Sequence, residues 1–258
     1  MWTDTHAHLD HDQYALDRDA VIDRAWNNDV HRVINVGFDR ATIEATMRLV
    51  EAYDWIDAAI GWHPLEVHTV GEEHMDWIAQ LVRTCGRIVA IGEIGLDYSR
   101  PDAPKALQQQ WFRTQIALAR QLRVPIVIHN RDAHADTIHI MEQCHAYDVG
   151  GVMHCFGGSW EMARICIEMG FSLSFGGPIT YKNAKTPKEV LARLPEDRWM
   201  LETDAPYLAP HPFRGTRNES AHIAIIGEAA ATLRCVDVPT AARIATQNAH
   251  RVLPRRTV

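Results

Sequence analysis

The sequence lacks any apolar run near the roughly 20 residues that a membrane-crossing helix needs, which argues against a helical membrane protein. It also lacks a basic region and apolar core at its start, so the expectation is a cytoplasmic protein with no membrane partner. Its five cysteines, Cys85, Cys144, Cys155, Cys166 and Cys235, are odd in number and contain no Cys-x-x-Cys pair, which points to reduced, mostly buried thiols. Cys155 follows His154 directly, and strand alternation predicts that it faces away from whatever His154 faces. Basic charge is short as well. The chain has 26 Lys and Arg against 33 Asp and Glu, a formal net charge of −7, which argues against broad wrapping of a nucleic acid. An anionic substrate must then be held locally, as a cationic metal centre can do. There is no low-complexity segment and no repeat beyond an alternation of strands and helices.

What is present reads as strand then helix, repeated. The predicted strands are Trp2–His6, Arg32–Gly37, Asp57–His63, Arg87–Ile94, Pro125–His129, Gly151–Phe156, Phe171–Phe175 and Trp199–Thr203. Helices are predicted over Asp12–Asn27, Thr42–Ala52, Glu72–Thr84, Pro104–Arg123 and Asp132–Cys144, from the N-cap Ser159 onward, and over Ala221–Leu233 and Thr240–Val252. With 258 residues, 47% of them hydrophobic, the chain has material for one large core. The reading is an α/β protein, a TIM (β/α)8 barrel forming a single domain over residues 1–258.

Such a barrel carries its site at the carboxyl ends of the strands. Several apolar runs here end there in a residue able to bind metal: Ile88–Glu93, Pro125–His129, Gly151–His154 and Trp199–Asp204. Strand one adds His6 and His8, which point the same way if the strand continues through them. His6, His8, Glu93, His129, His154 and Asp204 exceed the needs of one tetrahedral zinc and suit two adjacent divalent ions sharing a carboxylate, with Mg, Mn or Zn all compatible. His63 ends strand three on the same rim, where it can meet a substrate phosphate or a neighbouring carboxylate, or simply hold its turn. Asp97 and Tyr98 shape the pocket mouth or only end a strand.

Taken together the motifs Asp4-Thr5-His6-Ala7-His8-Leu9-Asp10, Gly61-Trp62-His63-Pro64, Ala90 to Tyr98, Pro125 to His129, His154-Cys155-Phe156-Gly157-Gly158 and Leu201 to Leu208 resemble, in order and over nearly the whole chain, the TatD-type metal-dependent hydrolases. That resemblance implies His6, His8, Glu93 and Asp204 around one metal, with Glu93, His129 and His154 around the other. Glu93 then stands where many related barrels use a carbamylated lysine. One departure is Arg217-Asn218-Glu219-Ser220, where the family tends to have proline after Asn-Glu; Ser220 is the expected replacement N-cap.

The resemblance further implies a deoxyribonuclease cleaving phosphodiester bonds, a 3′-5′ exonuclease on single-stranded DNA ends, with Asp204 as general base and Glu93 beside it at the reacting centre. The alternative on the same centre is an ester or amide hydrolase, such as a D-aminoacyl-tRNA deacylase. A non-catalytic metal or nucleic-acid binder ranks behind both, because Glu93 and Asp204 are retained. No obligate protein partner is evident. For substrate binding the candidates besides His63 are Lys182, in the cationic loop Tyr181–Lys188, and Arg214 and Arg217, in a similar stretch after strand eight.

Overall fold

Six of the eight strands are buried at every position, the pattern of a parallel sheet covered on both faces. In the computed structural model, which describes all residues from Met1 to Val258, they are β1 (Trp2–Ala7), β2 (Val30–Gly37), β3 (Ile56–Ile60), β4 (Ile88–Asp97), β5 (Ile126–Arg131), β6 (Gly151–Met153), β7 (Phe171–Phe175) and β8 (Trp199–Leu201). All pair in parallel, in sequence order. The ring closes where the segment after β8 meets β1: an Ala7–Ala205 bridge, with the Asp204 N–H donating to His6 O at 2.9 Å and the His8 N–H to Ala205 O at 2.7 Å. The predicted α/β barrel is therefore the fold.

Around it lie α1 (Arg18–Asn27), α2 (Arg40–Ala52), α3 (Glu72–Thr84), α4 (Lys105–Leu122), α5 (His134–Gln143), α6 (Trp160–Glu168), α7 (Lys185–Arg193), α8 (Ile223–Arg234) and α9 (Val238–Val252). Their entries follow local chemistry. Asp39 and Thr42 form a reciprocal box at α2, and Ser159 caps α6 by accepting the Met162 N–H, as its sequence position suggests. Inside the ring, Ile34, Val36, Ala59, Val89, Val127, Val152 and Met200 pack with Ala249 and Leu253 from the end of α9. The Leu253 carbonyl accepts from Arg32 near the start of β2, so α9 closes the amino end and leaves the carboxyl end for chemistry.

Several boundaries differ from expectation. The stretch 12–17 is a 3-10 turn and linker, and the helix begins only at Arg18. β4 runs on to Asp97, pairing Gly95, Leu96 and Asp97 with His129, Asn130 and Arg131. β3, β6 and β8 stop early, at Ile60, Met153 and Leu201. A helix absent from the sequence reading, α7, takes up Lys185 and Lys188 of the cationic loop; its Pro187 is tolerated because it lies in the first turn, where its missing N–H has no partner to lose. Ser220 caps nothing: it is buried in a short 3-10 turn, and α8 starts after His222.

Candidate metal centre

Two irregularities in the sheet aim the site. The β1–β2 register shifts between Asp4 and Ala7, around His6, and the β4–β5 register shifts between Ile91 and Ile94, around Glu93. Such shifts re-aim side chains beside functional sites. Just past the second, at Gly95, with φ +146°, a Cβ would lie 2.0 Å from the His129 carbonyl oxygen. Only a glycine lets β4 run this close beside β5.

Glu93, 4% exposed, is the hub. Its Oε1 lies 2.5 Å from His129 Nδ1, 2.9 Å from His154 Nε2 and 3.8 Å from His63 Nε2, and its Oε2 lies 3.3 Å from His6 Nε2. Asp204 Oδ1 lies 3.6 Å from His8 Nε2 and 3.8 Å from His6 Nε2. The structure thus brings together all six candidate ligands from five strands or the segments just beyond them. His6, His8 and Glu93, and Glu93, His129 and His154, each place one donor atom within 4.8 Å of the others.

Hydrogen bonds set which ring nitrogen faces inward. His8 Nδ1 donates to Val36 O at 3.1 Å, so the neutral ring turns the lone pair of Nε2 to the site, as a metal ligand must. His63 is the opposite: its Nδ1 accepts the Leu65 N–H at 3.1 Å, so in the neutral ring the proton is on Nε2, facing Glu93. His63 is built as a donor, not a ligand. His6 is fully buried, and neither of its ring nitrogens has a hydrogen-bond partner. An unpaired buried lone pair is costly, and a cation beside Glu93 would satisfy it. The donor set of imidazole nitrogens and carboxylate oxygens fits a divalent metal.

The electrostatics divide the rings: burial lowers His8, His129 and His154, but the neighbouring carboxylates outweigh it and raise all three, His8 to about 9, so a bound metal would displace their protons. Burial and the nearby charge of His154 push the His6 imidazole down toward the neutral form, despite Glu93. Burial likewise lowers His63, to about 3, with His129 adding repulsion. Burial raises the Glu93 carboxyl, but His154, His129 and His6 outweigh it and hold it well below the usual carboxylate range. Asp204 follows the same balance, with burial opposed by the His8 contact and by His154 and His6, and ends below its ordinary value. Both carboxylates are ionised at neutral pH.

Two further carboxylates stand behind the histidines: Glu202, which the sequence reading did not single out, and Asp97, which it placed at the pocket mouth or at the end of a strand. Glu202, fully buried, accepts the Cys155 N–H at 2.7 Å and lies 3.3 Å from His154 Nδ1, behind the imidazole. Asp97 lies 3.1 Å from His129 Nε2, so it does more than end a strand. Asn218 is another omission. Its side-chain amide donates to Thr203 O and Tyr207 O, both at 2.8 Å, and so clamps the loop that carries Asp204.

The cavity above these groups has a volume of about 700 Å3. His63 lines it, with apolar walls that include Phe38, Leu65, Phe156 and Ile179. Cys155 also lines it, against expectation. Alternation does not reach that residue, because β6 has ended at Met153 and Cys155 sits in a left-handed turn at φ +44°. Lys182, Arg214 and Arg217 are not brought to the cavity. Lys182 is exposed, Arg214 lies over the Tyr181 ring at 4.6 Å, and Arg217 is spent on Asp17, Glu219 and the Gln13 carbonyl.

Comparisons with known proteins give one answer. A family model described as TatD related DNase matches residues 3–254. The uncharacterized metal-dependent hydrolase YabD of Bacillus subtilis is 50% identical over 252 residues, 98% of each chain. The uncharacterized metal-dependent hydrolase YcfH of Escherichia coli K12 is 34% identical over 252 residues, 96% of this chain and 94% of that one. Among solved structures, that of YJJV, a TatD homolog from Escherichia coli, superposes with a TM-score of 0.92 at 28% identity over 98% of this chain and 97% of the other.

Proposed function

The chain belongs to the TatD-related DNase family and is a metal-dependent hydrolase, and on that premise we propose that it is a deoxyribonuclease that hydrolyses phosphodiester bonds, acting from the 3′ end of single-stranded DNA. The observation that carries the reading is Glu93, a single buried carboxylate with histidines on both of its oxygens at the carboxyl rim of the barrel. In this reading His6, His8, Glu93 and Asp204 would hold one divalent ion and Glu93, His129 and His154 a second. When bound, such ions lower the pKa of water and offset negative charge on a phosphoryl oxygen.

The remaining steps fall to the chain's own groups. Asp204, ionised and in reach of His8, takes the proton of the attacking water. His63, neutral with its proton on Nε2, donates a hydrogen bond to a phosphoryl oxygen. Glu202 holds the His154 ring from behind, and the apolar cavity walls exclude bulk water from the reacting groups.

The test is the product ladder of an end-labelled single-stranded DNA, after chelation and return of Mg, Mn or Zn, with Asp204→Asn beside the parent. Metal-dependent shortening from the 3′ end, lost in the variant, is the expected result. A metal-loaded protein that leaves DNA intact and cleaves a carboxylic ester or a D-aminoacyl-tRNA would overturn the nuclease reading.

A further inference from the structure

The cavity contains four carboxylates, Glu66, Glu93, Asp97 and Asp204, and one side chain with permanent positive charge, Arg131. Most other arginines near structured elements are engaged: Arg24 and Arg217 with Glu219, Arg32 with Asp57, and Arg120 with Asp148. Arg131 has no hydrogen bond or ion pair from its guanidinium, although its main chain is fixed, its carbonyl accepting the Tyr98 N–H at 2.9 Å. It is exposed at the end of β5, two residues after His129 and so on the same side of the strand. A guanidinium left unpaired beside the carboxylates of the cavity, on a backbone held in register, has all its donors free for an anion.

We propose that Arg131 binds an anionic group of the substrate lying one step away from the bond that is cleaved. In a DNA strand that group is the neighbouring phosphate. Two residues along β5 amount to about 6.6 Å, which moves the contact outward from the catalytic carboxylates by close to one nucleotide step. This inference rests on the phosphodiesterase reading for the identity of the anion, but its geometry requires only an anion. It also explains how an acidic protein selects an anionic polymer without a basic surface. The one cation fixes the register of the strand, and Tyr207, 43% exposed at the cavity wall, offers a ring beside the path.

The experiment compares metal-loaded parent, Arg131→Ala and Arg131→Lys on two substrates: a short oligothymidylate and bis(4-nitrophenyl) phosphate, which has no second phosphate. On the oligonucleotide Arg131→Ala raises KM about 10- to 100-fold, the range for one charge-assisted contact, and the loss on the single-phosphate ester is at least tenfold smaller. Lysine recovers part of the KM, and the dependence of KM on salt weakens in the alanine variant. Equal losses on both substrates, or none on either, overturn the assignment. If the parent cleaves neither phosphodiester, the nuclease reading fails separately. The same contrast is then read on a succinate half-ester and its neutral methyl ester: a selective loss on the charged one sustains Arg131 as the anion site, and an equal loss refutes it.

Discussion

Asp4 accepts two hydrogen bonds from Thr203, one from the backbone N–H at 2.8 Å and one from the hydroxyl at 2.6 Å. Both residues are fully buried. They tie β1 to the segment after β8 at the seam of the barrel, and two residues beyond Asp4 is His6, while Asp204 directly follows Thr203. The pair therefore sets the spacing between a candidate ligand and the candidate base from opposite ends of the sequence.

That placement has a pH signature. Burial raises the Asp4 carboxyl from 3.8 to about 7, against the hydrogen bonds from Thr203, which pull the other way. Between those values the folded state holds a proton that the unfolded chain releases. Asp4 thus contributes stability that is fully present below about pH 4 and is lost as pH rises through about 7. The rise, at about 1.4 kcal/mol per pH unit, gives an amplitude of roughly 4 kcal/mol. Asp4→Asn keeps an acceptor for the Thr203 N–H and removes the titration. The stability of the variant minus that of the parent, from urea unfolding of the metal-free proteins, should increase from pH 4 to 7 and level off above it. A flat difference would refute the assignment.

The fold was legible because most strands announce themselves twice, as an apolar run and as a run that ends in a histidine or carboxylate. Its failures have local causes. β4 looked finished at Ile94 because glycine normally marks a turn, whereas Gly95 is there to admit the His129 carbonyl. α7 was hidden by a cationic entry and Pro187, and its register shows only in Val190 and Leu191, which face the core. Among site residues, those at strand ends were readable, since position in a barrel predicts them. Glu202 and Arg131 were not singled out; for Arg131 the available signal was its place two residues after His129 on β5, whereas Glu202 and Asp204 lie beyond the end of β8, where alternation gives none. The pairing of Arg217 was not legible, because nothing in a sequence distinguishes a free guanidinium from one already paired with two carboxylates.

Glu93 and Asp204 should separate by metal content. Glu93→Gln removes the carboxylate shared by the histidines of both proposed subsites, so bound metal falls and turnover disappears with it. Asp204→Asn keeps Glu93 and the four histidines, so it retains most of its metal while losing about 100- to 10,000-fold in kcat, the usual worth of a general base. Elemental analysis of gel-filtered protein beside single-turnover rates checks both. Chelation of the parent should lower Tm, and added metal should restore it in a concentration-dependent manner, because ligands that bind only the folded state stabilise by mass action.

Glu202→Ala should act through His154. Removing the carboxylate frees the imidazole to rotate and leaves the Cys155 N–H without its acceptor. Metal affinity falls about 10- to 100-fold, the common cost of losing the partner behind a histidine ligand. Glu202→Gln, which retains an acceptor for Cys155, loses less. Competition with a fluorescent chelator measures the affinities, and unchanged affinity in both variants would assign Glu202 to packing alone.

Arg217→Ala distinguishes a structural guanidinium from a substrate-binding one. Its head group bridges Asp17 and Glu219, donates to the Gln13 carbonyl and lies over the Tyr14 ring at 4.8 Å, and the adjacent Asn218 clamps the Asp204 loop. The side chain is 28% exposed, so the network is partly screened by solvent and its loss should lower Tm by only about 2–4 °C. Since its donors already have acceptors inside the protein, none is left for a phosphate, and KM for the oligonucleotide should stay within about twofold of the parent in low salt. A KM increase that matched Arg131→Ala would mean that Arg217 leaves Asp17 and Glu219 to meet the strand. The loop after β8 would then be a moving part of the substrate path, not the fixed wall that its hydrogen bonds describe.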